Sequence, residues 1–382
     1  MYAHKITEFT GPDGVAWSQA DEPPAGDGAV LVDVVAAGVS FADLLQTRGQ
    51  YQMKVPVPYV PGMDAAGVVR SAPAGSGLAA GQRVAVFVPY GGWAEVVSAP
   101  VSRVLPLPDP MGFEAGAASC LNYLTVLFAL VRRGRAVAGE TLLVHGAAGG
   151  VGIAAIGLGR ALGLRTVAVA GDEAKRSFAL RCGADHAVLA DGWLAAVRGL
   201  LGERPVDIVL DPVGSSPGND RMTDSLRSLA PEGRVLVLGF AGGEIPVVKV
   251  NRLLLGNTGV LGVAVREFLE GRPELVRPLW EQLMGLELGD VPVVAFPFAD
   301  ARGALRLIAD RKARGKVVLS RQVSERQGWV CGAAAVSDSL PGASHVTVDA
   351  PASRGASSRN DNGVDPGCGV DWGVYRAPNP PP

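Results

Sequence analysis

The stretch 141–152, Thr-Leu-Leu-Val-His-Gly-Ala-Ala-Gly-Gly-Val-Gly, limits what this chain can fold into more than any other. Residues 141–144 are apolar or β-branched and predict a short buried strand. A glycine-rich turn follows, and residues 151–162 then carry alanine, isoleucine and leucine at helical spacing until Gly163 ends the run. Strand, tight glycine turn and helix form the Rossmann arrangement that holds a dinucleotide. Gly149 and Gly150 let the backbone approach a pyrophosphate, with Ala148 and Val151 alongside. Gly152 lets helix and strand pack closely, and the free amides of the helix start face the phosphates. The usual G-x-G-x-x-G has Ala147 at its first glycine. Such a fingerprint alone would also fit an ordinary strand-to-helix turn; the strand before it and the helix after it favour the nucleotide.

The rest of the chain divides around this unit. From residue 141 strands and helices alternate. Residues 166–170, 206–210 and 234–239 are apolar enough for central parallel strands, and 173–181 and 220–229 read as the helices between them. Residues 1–120 read instead as short β elements (30–36, 84–88 and 93–97), punctuated by Gly-Pro-Asp-Gly at 11–14, Pro-Pro at 23–24 and Gly-Gly at 91–92. The expected fold is α/β. It has a barrel-like β domain over 1–120, a doubly wound parallel sheet over 121–264, and a return to the first domain over 265–322 ending in a strand at 315–319. Residues 323–382 hold no Lys, Ile, Phe or Met and a single Leu, Leu340. So little apolar surface cannot offset chain entropy, and a disordered tail is expected.

Bulk properties exclude several functions. A chain of 382 residues can bury a large core, and a net charge of -2 offers no basic surface for nucleic acid. Cys120, Cys182, Cys331 and Cys368 show neither metal nor disulfide spacing, which fits a reducing cytoplasm. The N-terminus opens into a strand-like pattern and not a signal peptide, and no apolar run nears the ~20 residues of a membrane helix. A soluble protein with no membrane partner is expected.

The variant Ala147-Ala148-Gly149-Gly150-Val151-Gly152 resembles the quinone oxidoreductase branch of the zinc-free medium-chain dehydrogenases/reductases, and the resemblance runs from about residue 2 to 320. It implies a GroES-like catalytic domain at 1–120 and a Rossmann NADP-binding domain at 121–264. Zinc alcohol dehydrogenases share this architecture and mark their metal with a Cys, a His and a Gly-His-Glu element. In this chain Ser40 stands at the Cys and Met63 at the His, and neither is a competent zinc ligand. His4, His145, His186 and His345 are too scattered to replace them. Without a Lewis acid the chain can still reduce an electron-poor acceptor, a quinone or a double bond conjugated to a carbonyl, on whose oxygen charge develops. The resemblance implies Ser40, Asp43 and Tyr51 as catalytic candidates, although the family usually has Asn at Ser40 and a further Tyr at Leu45. Asp43 equally suits a helix start, and Tyr51 equally packs a domain edge.

Residues 121–126, Leu-Asn-Tyr-Leu-Thr-Val, look like the family's Asn-Tyr-Leu-Thr element. That likeness implies Asn122 and Thr125 near a nicotinamide, with the Thr125 hydroxyl on its carboxamide; a capped helix start is the plain alternative. Gly171 ends the second strand and leaves room for a phosphate, and Lys175 stands where the family meets the 2′-phosphate, which points to NADPH. Val213 after the fourth strand and Gly239 and Phe240 after the fifth lie where such sheets bind ligands. The expected activity is NADPH-dependent, zinc-independent reduction of a small quinone or enone. An enoyl-thioester reductase is the alternative enzyme, disfavoured because no basic cluster accompanies the cleft segments; a non-catalytic NADPH-binding sensor is the other. Residues 259–263, Gly-Val-Leu-Gly-Val, read as an apolar edge strand, and the resemblance implies a homodimer joined through it.

Overall fold

The computed structural model describes residues 1–322 apart from 27 and 204, so the expected tail at 323–382, with His345, Cys331 and Cys368, lies outside the described residues. β1 (Tyr2–Ile6) and β2 (Val15–Gln19) form an antiparallel pair at the start of the chain. β3 (Ala29–Val39) then buries Val30, Val32 and Val34 and is the spine of the first domain. After it come α1 (Phe41–Thr47), β4 (Asp64–Ser71), β5 (Arg83–Phe87), β6 (Val96–Pro100) and β7 (Val104–Pro106). A strand was expected from residue 93, but β6 begins at Val96. Trp93 is instead turned inward by the glycines before it, fully buried with its indole N–H donating to the Gly38 carbonyl at 2.8 Å.

The expected boundary at residue 120 falls within a helix. α2 (Phe113–Leu127) starts before that point and continues into a π-helical turn over Phe128–Arg133. Asn122 and Thr125 therefore lie well inside a helix and do not start one. The continuous helix of 21 residues is long and apolar enough to cross a membrane, contrary to the reading of the sequence. Most of its apolar window is buried within the protein, as in a core helix.

The second sheet follows the glycine turn. β8 (Thr141–His145) leads to α3 (Gly150–Ala161), then β9 (Arg165–Ala170), α4 (Glu173–Arg181), β10 (His186–Leu189), α5 (Trp193–Leu201) and β11 (Val206–Asp211). α6 (Arg221–Ser228), β12 (Leu229–Val237), α7 (Val250–Gly256) and β13 (Gly259–Gly262) complete it. The six strands run parallel in the order β10-β9-β8-β11-β12-β13, which puts β13 at an edge. β8 and β11, at its centre, are buried on both faces, and this explains their unbroken apolar runs.

α8 (Val265–Glu270), α9 (Val276–Met284), β14 (Val293–Pro297), α10 (Ala301–Ala309) and β15 (Lys316–Ser320) close the described chain. As expected, the last strands rejoin the first domain. β15 pairs antiparallel with β3 in a sheet ordered β14-β15-β3-β4-β5-β7, with β6 also on β3. This is a GroES-like domain beside a Rossmann domain.

Gly152 sets how closely α3 approaches the glycine turn. A Cβ there would stand 2.5 Å from the backbone of Ala147, which cannot yield without moving the turn. Gly152→Val should therefore destabilise the protein by about 2 kcal/mol or more, an overpacking cost with no flexible neighbour to absorb it. Chemical denaturation checks this, and an unchanged midpoint would contradict the packing described.

Candidate active site

The glycine turn is clamped from the other domain. Gly315, just ahead of β15, donates its N–H to the Ala148 carbonyl at 2.8 Å and pairs with Gly149 as an isolated parallel bridge. Gly315 holds φ +89°, and a Cβ there would meet the Pro292 carbonyl at 2.7 Å, so only glycine suits this crossing. Gly149 caps α3 without any side chain, leaving the amides of the first turn free for an anion. Gly150 has a different role from the expected one. The space for its Cβ is taken by the side-chain amide of Asn122, with which it would collide, and by the stem of Lys316.

Further along the carboxyl edge of the sheet, nothing lies within 4 Å of a Cβ built on Gly171. Lys175 lies beside this opening, its Nζ donating to the Arg311 carbonyl at 2.6 Å and pairing with Asp172 at 3.1 Å. Arg311 donates to the Ala241 carbonyl at 3.1 Å, and Arg314 is close enough to act on the Asp172 carboxylate, which is held below its ordinary value chiefly by the Lys175 amide. A basic cluster thus gathers at the strand ends, where none was visible in the sequence. At the end of β11, Asp211 Oδ1 accepts the N–H groups of Val213 and Gly214, each at 2.9 Å, and so fixes the turn containing Val213. Gly239 lies against this turn, its built Cβ 3.4 Å from the Pro212 carbonyl, and Phe240 is partly exposed beside it.

The catalytic candidates from the first domain converge on the same seam. Ser40 caps α1 in a reciprocal box with Asp43: Ser40 Oγ donates to Asp43 Oδ2 at 2.5 Å and Ser40 N–H at 2.7 Å. Asp43 is fully buried, as is Asp64 at the start of β4, and Lys316 Nζ reaches Asp64 Oδ2 at 2.9 Å. Gly38 on β3 makes room for Asp64, because a Cβ there would overlap the carboxylate. Asp43 Oδ1, Asp64 Oδ1 and both amide atoms of Gln46 meet no protein partner. Burial and the nearby Asp64 push the Asp43 carboxyl up to about 6, against the pull of Ser40 and Lys316. Burial raises the Cys120 thiol well above its usual range, so it is no thiolate nucleophile.

Other candidates stand differently from expectation. Tyr51 lies under the Arg266 guanidinium, 5.5 Å from the ring centre, and burial raises its phenol. Thr125 Oγ donates to the Leu121 carbonyl at 2.6 Å, so toward a carboxamide it offers lone pairs and not its proton. Met63 is a buried thioether. His4 and His145 bond to distant parts of the chain, the Phe298 carbonyl and the Ser225 hydroxyl, and burial lowers each to about 4, which keeps them neutral. Among the described residues no three His, Cys, Asp or Glu side chains cluster to hold a metal.

Comparison with known proteins agrees with this geometry. Residues 26–109 match the alcohol dehydrogenase GroES-like domain and residues 150–283 the zinc-binding dehydrogenase domain. Quinone oxidoreductase-like protein 2 of Rattus norvegicus is 36% identical over 306 residues, which cover 78% of this chain and 86% of that protein. The chain belongs to the quinone oxidoreductase family. Within that family, the quinone oxidoreductase of Rattus norvegicus is 32% identical over 334 residues, covering 84% of this chain and 97% of the other. The quinone oxidoreductase of Thermus thermophilus, solved with and without NADPH, superposes with a TM-score of 0.69 at 33% identity over 84% of this chain and 100% of that one. Like other medium-chain dehydrogenases/reductases, this family member is an oxidoreductase.

Lys316 is 4% exposed and Asp64 0%. Removing one partner of such a pair strands the other charge in the interior, at a cost of about 3–5 kcal/mol. Lys316→Met should show that loss in urea denaturation, and Lys316→Met with Asp64→Leu should recover a large part of it. A single variant as stable as the wild type would contradict the pairing.

Proposed function

We propose that this chain is an NADPH-dependent, metal-independent oxidoreductase that reduces a quinone or an α,β-unsaturated carbonyl. The observation carrying this reading is the seam itself: Asn122 and Lys316 crowd Gly150 at the start of α3, and Lys316 holds Asp64 beside Asp43 and Ser40. One wall thus serves both a nucleotide turn and a pair of proton-bearing side chains.

The residues present fit the cofactor. The uncapped amides at Gly149–Val151 bind a pyrophosphate, and the space at Gly171 admits a ribose phosphate. Lys175 and Arg311 supply cations for the 2′-phosphate that distinguishes NADPH from NADH. Asp211 keeps the Val213 turn in one conformation, and Asn122, packed against Gly150, and Thr125 would flank the nicotinamide. When bound, NADPH supplies the hydride. Ser40, once a protonated Asp43 donates to its Oγ, would offer its hydroxyl, and Tyr51 its phenol, to the acceptor oxygen on which charge collects. Metal chemistry finds poor support in the donor set, because the Ser40 hydroxyl is engaged by Asp43 and Met63 offers only a buried thioether.

NADPH oxidation assayed in parallel with 1,2-naphthoquinone, cyclohexenone and crotonyl-CoA tests the activity. The quinone or the enone should turn over, and turnover of the thioester alone, or of none, would contradict the reading. A charge-assisted contact to phosphate is worth about 1.5–3 kcal/mol, so Lys175→Ala should cost NADPH roughly tenfold or more in affinity while sparing NADH. Equal loss for both cofactors would contradict the phosphate contact.

We further propose that two chains pair through β13. Its edge position and the exposure of Val250, Leu254 and Leu255 on the preceding α7 leave apolar surface for a second copy to cover. Light scattering should give twice the chain mass, with Leu261→Lys shifting it toward monomer; a wild-type monomer would contradict the pairing.

A further inference from the structure

Reduction of a quinone or enone consumes a proton as well as a hydride, and the residues at the seam contain a connected route for one. Ser40 is partly exposed and Asp43 fully buried, with 2.5 Å between Ser40 Oγ and Asp43 Oδ2, at the short end for an O–H···O bond. We propose that Asp43 and Ser40 form a proton relay, in which the Asp43 carboxyl passes a proton through Ser40 Oγ to the oxygen of the acceptor being reduced. The relay rests on the oxidoreductase reading above and assigns the source of its proton.

Helix capping alone does not account for Asp43. Asp172 and Asp220 cap α4 and α6 through the same kind of bond, and each is held below the ordinary carboxylate range by hydrogen bonds from Lys175 and Thr223. Asp43 goes the other way, up to about 6, because it is buried and faces a second carboxylate. The groups around it come from several elements: Asp64 on β4, Lys316 on β15, Ser40 ahead of α1, and the phenols of Tyr51 and Tyr59. Lys316 is the cation of this group and is committed to Asp64 at 2.9 Å. Two carboxylates and one ammonium in a dry space favour keeping one proton, and Asp43 is the carboxylate without a cation in contact. The transferable proton belongs on Oδ2, the oxygen that faces Ser40 Oγ: there it reverses the Ser40–Asp43 bond, so that Oδ2 donates to Oγ and the Ser40 hydroxyl proton is freed for the acceptor.

The chemical step balances. As two electrons and a hydrogen enter the conjugated acceptor from the nicotinamide, the bond between Ser40 Oγ and its proton breaks while a new O–H bond forms on the acceptor. Ser40 Oγ takes the proton from Asp43, which is left as carboxylate. The nicotinamide is oxidised and the acceptor reduced by two electrons. Water reaching the partly exposed Ser40 returns the proton after product leaves.

The relay works only with Asp43 protonated, so kcat for NADPH oxidation by 1,2-naphthoquinone should be highest below pH about 6 and fall as pH rises through that value. Gly caps a helix almost as well as Ser, and Asn accepts the same backbone bond as Asp, yet neither can pass a proton. Ser40→Gly and Asp43→Asn should therefore fold, keep NADPH affinity by fluorescence titration, and lose about a hundredfold in kcat, the usual worth of general acid catalysis. Both should also flatten the pH profile and abolish the solvent deuterium isotope effect, whereas Ser40→Thr should retain both. In the cofactor-free protein, carbon-13 NMR should find Asp43 titrating near 6. Asp43→Asn with wild-type kcat and pH profile, or Asp43 titrating as an ordinary carboxylate, would overturn the relay while leaving the oxidoreductase reading intact. A wild type that oxidises NADPH with no acceptor would overturn both.

Discussion

The ion pair between Lys316 Nζ and Asp64 Oδ2, 2.9 Å long and buried from solvent, governs how the two halves of this protein meet. An ammonium in the interior is tolerable only beside its counter-ion, so β15 must run where Asp64 can reach it. That placement sets Gly315 against Ala148 and brings the stem of Lys316 under Gly150. The start of α3, which belongs to the Rossmann sheet, is thereby held by a strand of the GroES-like sheet. Nucleotide turn and proposed acceptor site come to share one wall because one buried charge has one place to go.

The same pair sorts the neighbouring charges. Surface pairs such as Arg306 with Asp13 or Lys312 with Asp310 stand in solvent and contribute little. Around Lys316 the dielectric is low, and a second carboxylate, Asp43, feels both the ammonium and Asp64. An arrangement that would be wasteful in a purely structural core becomes useful where a proton must be held near neutral pH and then released. The partly exposed end of this cluster is Ser40, the residue proposed to meet the acceptor.

Much of this architecture was legible in the residues. Strands buried on both faces announce themselves as apolar runs, and the glycine turn between 145 and 152 fixes a strand on one side and a helix on the other. Asp43 reads as a helix-start residue from its spacing to Ser40, and the structure shows that role together with its burial. Lys316 was not legible. It opens an apolar strand 252 residues after Asp64, and no local pattern links them. A lysine leading Val-Val-Leu was nonetheless a sign that some carboxylate waits inside. Arg311 and Arg314 escaped for the same reason, since Arg311 meets Lys175 and Arg314 nears Asp172 only once α10 has carried the chain back across the seam. The start of α2 was misplaced because its small residues (Ala115, Gly116, Ala117, Ala118) carry little periodic signal, and Trp93 was read as strand because inward packing and strand alternation look alike over so few residues.

Metal-free hydride delivery is tested most directly by a single turnover after exhaustive chelation, using NADPH deuterated at the transferring position and one equivalent of 1,2-naphthoquinone. The cofactor should be oxidised at the rate of untreated protein with a primary isotope effect, and elemental analysis should find no stoichiometric zinc. Loss of turnover that zinc alone restores would contradict the metal-free roles of Ser40 and Met63, and with them the chemistry assigned to the seam.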